Sequence, residues 1–428
     1  MNNQETVQAY LSRVSSAIGA ENGPELALLL RLDGPHSADL HQVTRMVKAG
    51  VVESSVRRNL DETWSDVVWG HIRVLRLVRA VSHTSRGGRE RFEGEITAAA
   101  ELQNTVVQTF HQVFSTQTRW CLPVLYAVNG DLRSLSIEAD ALLRSRGEKA
   151  GNLEEAARTM NKAFSYCVTD RFSPPDKSRK WGTYHVVNLL FKTYFRLTQT
   201  NLCSSILRSL SAGDLPALER FPIADQLTFK YYVGVLAFYN EQYTKAEQDL
   251  SFALQHCLRD DTDGSSPSHA MEINKLLILN FLVPTRMILG VLPRPELLQK
   301  YPALEYLYGY FVTAIRTGDI RLFDESLQRL QRDLIERGTY LTVERARALA
   351  ARMLFKKVWL VHDGSSRIPM QQFQRAMRLA GSDSSMDSVA CMLANMIDKG
   401  YLKGYLSHEK RMVVTGKEPF PNIKAVPM

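Results

Sequence analysis

Six cations near the end of the chain have the type and spacing to hold a polyanion: Arg375, Arg378, Lys399, Lys403, Lys410 and Arg411. Lys403, Lys410 and Arg411 belong to the stretch KGYLSHEKRMVV (Lys403–Val414), two alternating segments around a charged turn. Lysine and arginine on a protruding ribbon reach phosphate oxygens and release condensed counterions, a salt-sensitive contact that reads little sequence. Arg375 and Arg378 lie three apart on the polar side of a short helical segment, and Lys399 ends the next one. No run of aromatic residues suggests base stacking, so the expected contact is to the backbone of RNA or DNA.

The distribution of charge agrees. The net charge is +8 over 428 residues. Residues 345–428 hold 14 Lys/Arg and 6 Asp/Glu, whereas the preceding 344 residues hold 39 of each sign. A local excess of cations favours a polyanionic partner. Its plainer explanation is a solvated surface that keeps the protein in solution.

Residue patterns for catalysis are missing from the sequence. The ten histidines contain no H-x-H pair and no H-E-x-x-H, and neither G-x-x-x-x-G-K-[ST] nor G-x-S-x-G occurs. His408 falls in the charged turn and reads as an exposed turn residue. The five cysteines, Cys121, Cys167, Cys203, Cys257 and Cys391, are odd in number, far apart and without a C-x-x-C pair. They read as reduced, buried thiols of an intracellular protein. The opening MNNQETVQAY lacks the features of a secretory signal, and no apolar run approaches the ~20 residues that span a bilayer. A cytosolic or nuclear protein without membrane insertion, metal or cofactor is expected.

The elements that must position the cations are mostly helical. Leu40, Val43, Met46 and Val47 form one helical stripe, and Val67, Val68, Ile72, Leu75 and Val78 another. Ser82–Glu95, rich in Ser, Gly and Arg, reads as an exposed loop, and helix resumes at Ile96. Asn129-Gly130 reads as a turn between helices, and Pro174-Pro175 as a firm break. From Trp181 helices come in pairs. In YYVGVLAFYNEQYTKAEQDLSFALQHC, Gly234, Tyr243, Ala246, Leu250 and Ala253 fit a tetratricopeptide-type hairpin whose small residues let two helices approach. A second copy has Gly309 at the small position, a turn at Gly318-Asp319, and Phe323, Leu327 and Leu330 as its stripe. Asp260–His269 reads as a linker, and Pro284, Pro293, Pro295 and Pro302 as cuts into short pieces. The whole is a mainly α chain, a superhelical array of α-hairpins.

The last fifth changes character. Glu344–His362 reads as helix, with Arg352, Phe355 and Trp359 at helical spacing, ended by DGSSRIP. Met370–Gly381 is a short helix with Pro369 at its start. Ser384–Gly400 is a third, capped by Ser385, stopped at Gly400, and buried through Val389, Met392, Leu393, Met396 and Ile397. Three helices followed by a β-ribbon is the winged-helix order, and the ribbon is the wing. Three regions result: 1–180, N-terminal helices; 181–344, hairpin repeats; 345–428, the winged-helix subdomain.

Repeats leading into IPMQQFQRAM and MLANMIDKGYLKGYLSHEKRMVV resemble the PCI-domain family, notably in Gly400, Tyr401, Leu402, Gly404, Tyr405 and Leu406. WGTYHVVNLLFKTYFRLTQTNLCSSILRSL, NKLLILNFLVPTRMILG and SHEKRMVVTGKEPFP are similar to its branch in the nuclear complex that couples transcription to mRNA export. The resemblance covers residue 100 onward. It implies a nuclear, non-catalytic scaffold, associated with the nuclear pore, that pairs with the export complex's large scaffold subunit. A small acidic, disordered protein shared with the proteasome lid is the second implied partner, and paired winged helices form a basic face for RNA or DNA. The competing expectation is a purely structural subunit of a lid-like or signalosome-like assembly. A sequence-specific winged-helix transcription factor is disfavoured, because the third helix offers only Asp387, Ser388, Asn395 and Lys399 for base reading.

Overall fold

The computed structural model describes residues 3–81, 91–171, 173–257 and 269–423. Packing divides the chain into two units, Met1–Phe229 and Lys230–Met428. The first contains α1 (Asn3–Gly19), α2 (Gly23–Leu29), α3 (Ser37–Met46), α4 (Ala49–Asn59) and α5 (Glu62–Leu77). A hairpin of β1 (Val78–Val81) and β2 (Arg91–Gly94) follows, then α6 (Ile96–Thr116), α7 (Leu122–Ser145), α8 (Asn152–Val168), α9 (Thr183–Arg196) and α10 (Asn201–Ala212). The division falls within α11 (Ile223–Tyr239). Helices α5 to α9 pack each on the next, around a core in which Trp64 and Phe110 rings lie 6.1 Å apart.

Several sequence expectations fail in this unit. Asn129-Gly130 is no turn but lies within α7. The buried Asn129 Nδ2 donates to the Leu125 carbonyl at 2.8 Å, so its polar group is served inside the helix. Val78 starts a strand rather than ending a helix, and residues 91–94 of the expected loop are its antiparallel partner. The rest of that loop, 82–90, and most of the 260–269 linker lie outside the described residues. Met46 is 65% exposed because α3 ends there, whereas Leu40 and Val43 are buried as expected.

The second unit continues with α12 (Tyr243–Cys257), α13 (His269–Ile288), α14 (Pro295–Lys300), α15 (Pro302–Thr317), α16 (Ile320–Glu336) and α17 (Tyr340–Arg345). α18 (Arg347–Val361), β3 (Arg367–Pro369), α19 (Met370–Leu379), α20 (Met386–Asp398), β4 (Gly404–Ser407) and β5 (Met412–Thr415) complete it. This is the expected fold: helical hairpins running into a winged helix. The hairpin α11–α12 is packed as its residues require. A Cβ on Gly234 would stand 2.8 Å from Leu250 Cγ, and Ala246, Leu250 and Ala253 are fully buried. In the next hairpin Gly318 takes the left-handed conformation (φ 67°), and the Asp319 carboxylate accepts the Leu322 N–H at 2.9 Å. Gly309 departs from expectation. The space beside it is open apart from the Glu305 side chain at 3.5 Å, so its smallness serves no helix contact.

Pro284 does not cut the chain, since it sits inside α13. A proline there leaves the Asn280 carbonyl without its helical N–H. The buried Tyr308 hydroxyl donates to that carbonyl at 2.9 Å and replaces the lost bond. Pro295 and Pro302 begin α14 and α15, where a missing N–H costs nothing.

Candidate nucleic-acid interface

The winged helix is assembled on stripes of apolar residues at helical spacing. Met370, Phe373 and Met377 of α19 and Val389, Leu393 and Met396 of α20 are buried, and Phe373 meets Phe355 of α18 edge-on at 5.2 Å. Burying each such side chain stabilises by about 1.5–3 kcal/mol. Met392 and Ile397, expected in the same stripe, are half-buried. Ser385 caps α20 by accepting the Ser388 N–H at 3.1 Å, and Gly400 (φ 70°) ends it.

The sheet has the order β3–β5–β4, antiparallel throughout. β3 departs from the sequence pattern, in which RIP only ends the loop after α18. It exists as a strand through its pairing of Arg367, Ile368 and Pro369 with Val414, Val413 and Met412. Val413 faces the core beside Ile368 and Leu406, while Arg367, Val414 and Tyr405 form a row on the outer face. Arg352 fixes the ribbon from below. Its buried guanidinium donates to the Tyr401 carbonyl (3.0 Å) and to the Pro421 carbonyl. Burial pushes its pKa down from the ordinary value. The Lys403 N–H donates to the Pro419 carbonyl at 2.8 Å, tying the start of β4 to the following segment.

The six sequence-predicted cations fall into two groups and one exception. Lys410 and Arg411 stand exposed at the ribbon tip. The Met370 N–H donates to the Arg411 carbonyl at 2.9 Å, which brings the tip to the start of α19. Arg375 lies five residues further along α19, about 7.5 Å of helix rise, on the side away from Phe373. Lys399 and Lys403 flank the Gly400 turn at the other end of the ribbon, roughly 13 Å of strand away. These five are exposed and make no ion pair among the described residues. Arg378 is the exception: its Nε lies 3.5 Å from Asp383 Oδ1. Lys399 also occupies a helix C-terminus, where the dipole favours a cation whatever its other role. Arg411 holds a left-handed backbone (φ 46°), a conformation that costs a side chain about 1–2 kcal/mol.

Three exposed residues of the sheet and its edge are not among the six expected cations. Arg367 is exposed on β3, Lys417 is exposed beyond β5, and Tyr405 is 63% exposed on β4. The alternation of KGYLS already put Lys403 and Tyr405 on one face, which was the available signal. The charge count also changes meaning in three dimensions. Arg345 pairs with Glu241, Arg347 Nε lies 2.6 Å from Asp324 Oδ1, and Lys357 donates to the Thr317 carbonyl. Two cations of the C-terminal excess are thus balanced by the preceding hairpins, and among the described residues most of its exposed cations without an ion pair lie on the winged helix.

Most of the thiols and two of the imidazoles are buried. Cys121, Cys167, Cys203 and Cys257 are buried as expected, and burial pushes Cys167 up to about 12. Cys391 is exposed, against expectation, because it lies on the outer side of α20. Burial lowers His71 to about 3 and His111 to about 4, holding both rings neutral. Among the described residues, no group of three or more His, Cys, Asp or Glu could hold a metal, and no helix is long and apolar enough to cross a membrane.

Helical hairpins closed by a winged helix define the class of protein. The model of the PCI domain matches residues 327–417, which include α19, α20 and the whole sheet. The chain is 35% identical to the protein named CSN12 homolog of Mycosarcoma maydis, across 97% of this chain and 98% of that one. It is 34% identical to the CSN12 homolog of Schizosaccharomyces pombe (97% of each chain), and 30% identical to PCI domain-containing protein 2 of Xenopus laevis (98% and 99%). The chain belongs to the PCI-domain family, and is a scaffold-type member of it.

Proposed function

We propose that the chain is a non-catalytic scaffold subunit of the nuclear machinery that couples transcription to mRNA export. In this reading it pairs with a large scaffold subunit, binds a small acidic disordered protein, and holds RNA or DNA by the backbone. The observation that carries it is the set of exposed cations around the ribbon that make no ion pair among the described residues: Lys403, Lys410 and Arg411, with Arg375 on the neighbouring α19. Exposed apolar residues support the scaffold half. Tyr239, Ile335 and Leu341 border a cleft of about 450 Å³ in the second unit, surface of the kind that protein partners cover.

The name CSN12 homolog, carried by several relatives, favours a second reading: a structural subunit of a signalosome-like assembly without nucleic-acid binding. A salt titration separates the two. The first reading predicts that single-stranded RNA binding falls steeply with salt, with a slope near −0.7 per neutralised phosphate. K410E/R411E should weaken binding on the order of ten-fold and lower the slope by about 1.4, while assembly with protein partners stays intact. No affinity at low salt, for the chain alone or with its partner bound, would leave the second reading.

A further inference from the structure

We propose that the outer face of the β3–β5–β4 sheet is a stacking platform for the unpaired bases of a single-stranded nucleic acid, with Tyr405 as the ring on which a base lies. This rests on the preceding reading, since the same ribbon must hold the phosphates, and it adds the class of nucleic acid.

Strand register places the platform. Arg367, Val414 and Tyr405 are paired in one row across three strands, opposite the core-facing row of Ile368, Val413 and Leu406. Tyr405 is 63% exposed, and while its backbone is held in the pairing with Val414, its side chain makes no ring contact or hydrogen bond among the described residues. Its ring face is free, and stacking on such a ring tolerates any base. Arg367 stands two strand spacings away, about 10 Å, on the same side. Lys403, two residues before Tyr405, continues the alternation towards that face, and its backbone carbonyl still accepts the Gly416 N–H at 3.2 Å. Lys410 and Arg411 close the other end. Cations at both ends of a strip with an aromatic ring between them match the repeat of a single strand, phosphates outside and bases inward.

The neighbouring helix argues against a duplex. The exposed side of α20 presents Asp387 and Asp398, with Lys399 its one cation. Inserted into a groove, it would set two carboxylates among phosphates. A duplex also keeps its bases stacked on one another, leaving none for Tyr405.

The test uses the full chain at low salt, with a short fluorescein-labelled oligouridylate and a blunt RNA duplex of the same length, read by anisotropy. Wild type is expected to prefer the single strand. Y405A should weaken single-strand binding roughly ten-fold with unchanged salt slope and unchanged duplex binding, while Y405F retains wild-type affinity. Matching thermal melts of Y405A and wild type confirm that the fold is intact, as an exposed residue predicts. If Y405A binds the single strand as wild type does while K403E/K410E weakens both ligands, stacking is refuted and the phosphate contact stands; Tyr405 then belongs to a protein interface. If wild type binds neither ligand, the nucleic-acid reading falls and this proposal with it.

Discussion

α20 and the β4–β5 ribbon leave the same small core, the helix through Val389, Leu393 and Met396 and the ribbon through Val413. Their outward faces differ in sign. The helix shows Asp387, Ser388, Asn395, Asp398 and Lys399, and the ribbon and its flanks show Arg367, Lys403, Lys410, Arg411 and Lys417 against Glu409 and Glu418. In a winged helix that reads DNA, the third helix is the element that enters the major groove. Here the order of elements is kept while the charge has moved to the wing. Topology alone therefore does not say which element a polyanion would meet; under the proposed function the outward residues point to the wing.

The largest expected effect removes both sides of the comparison together. F373A empties the contact with Phe355 and should cost about 3–5 kcal/mol, so thermal unfolding falls sharply and helix and ribbon lose function alike. R411G is expected to split charge from backbone. It removes a tip cation yet relieves the left-handed strain, so the melting temperature should rise, by up to about 1–2 kcal/mol of stability, while RNA affinity falls a few-fold. A melting temperature and an affinity that fall together would mean that Arg411 holds the turn. The smallest effect is on the helix side. D387N/D398N should leave single-strand affinity nearly unchanged and raise duplex affinity only a few-fold, in an assay that compares both ligands at low salt. A large gain in single-strand binding would place α20 against the nucleic acid.

Local rules carried the reading furthest. Ser385 as cap, Gly400 and Gly318 as stops, and Gly234 against Leu250 depend on neighbours a few turns away, and each was legible. The failures share a different cause. β3 has three residues, too few to show a period, and is a strand only because β5 lies beside it. Pro284 stays in a helix because the hydroxyl of Tyr308, from another helix, serves the carbonyl it strands. Asn129-Gly130 has turn composition, but Asn129 finds its acceptor one helical turn back. At the site, Lys410 and Arg411 were readable from the charged turn. The pairing of Arg378 with Asp383, and of Arg345 and Arg347 with Glu241 and Asp324, was not, since it depends on which carboxylates tertiary packing brings near. Tyr405 lay between, its alternation visible and its exposure settled only by which side of the sheet packs on the helices.

The claim that the wing rather than the third helix meets nucleic acid is tested most directly by photo-crosslinking the full chain to a 4-thiouridine oligonucleotide and mapping the modified peptides. Crosslinks are expected within 403–417, with Tyr405 among the modified residues. Crosslinks confined to 386–399 would contradict the account.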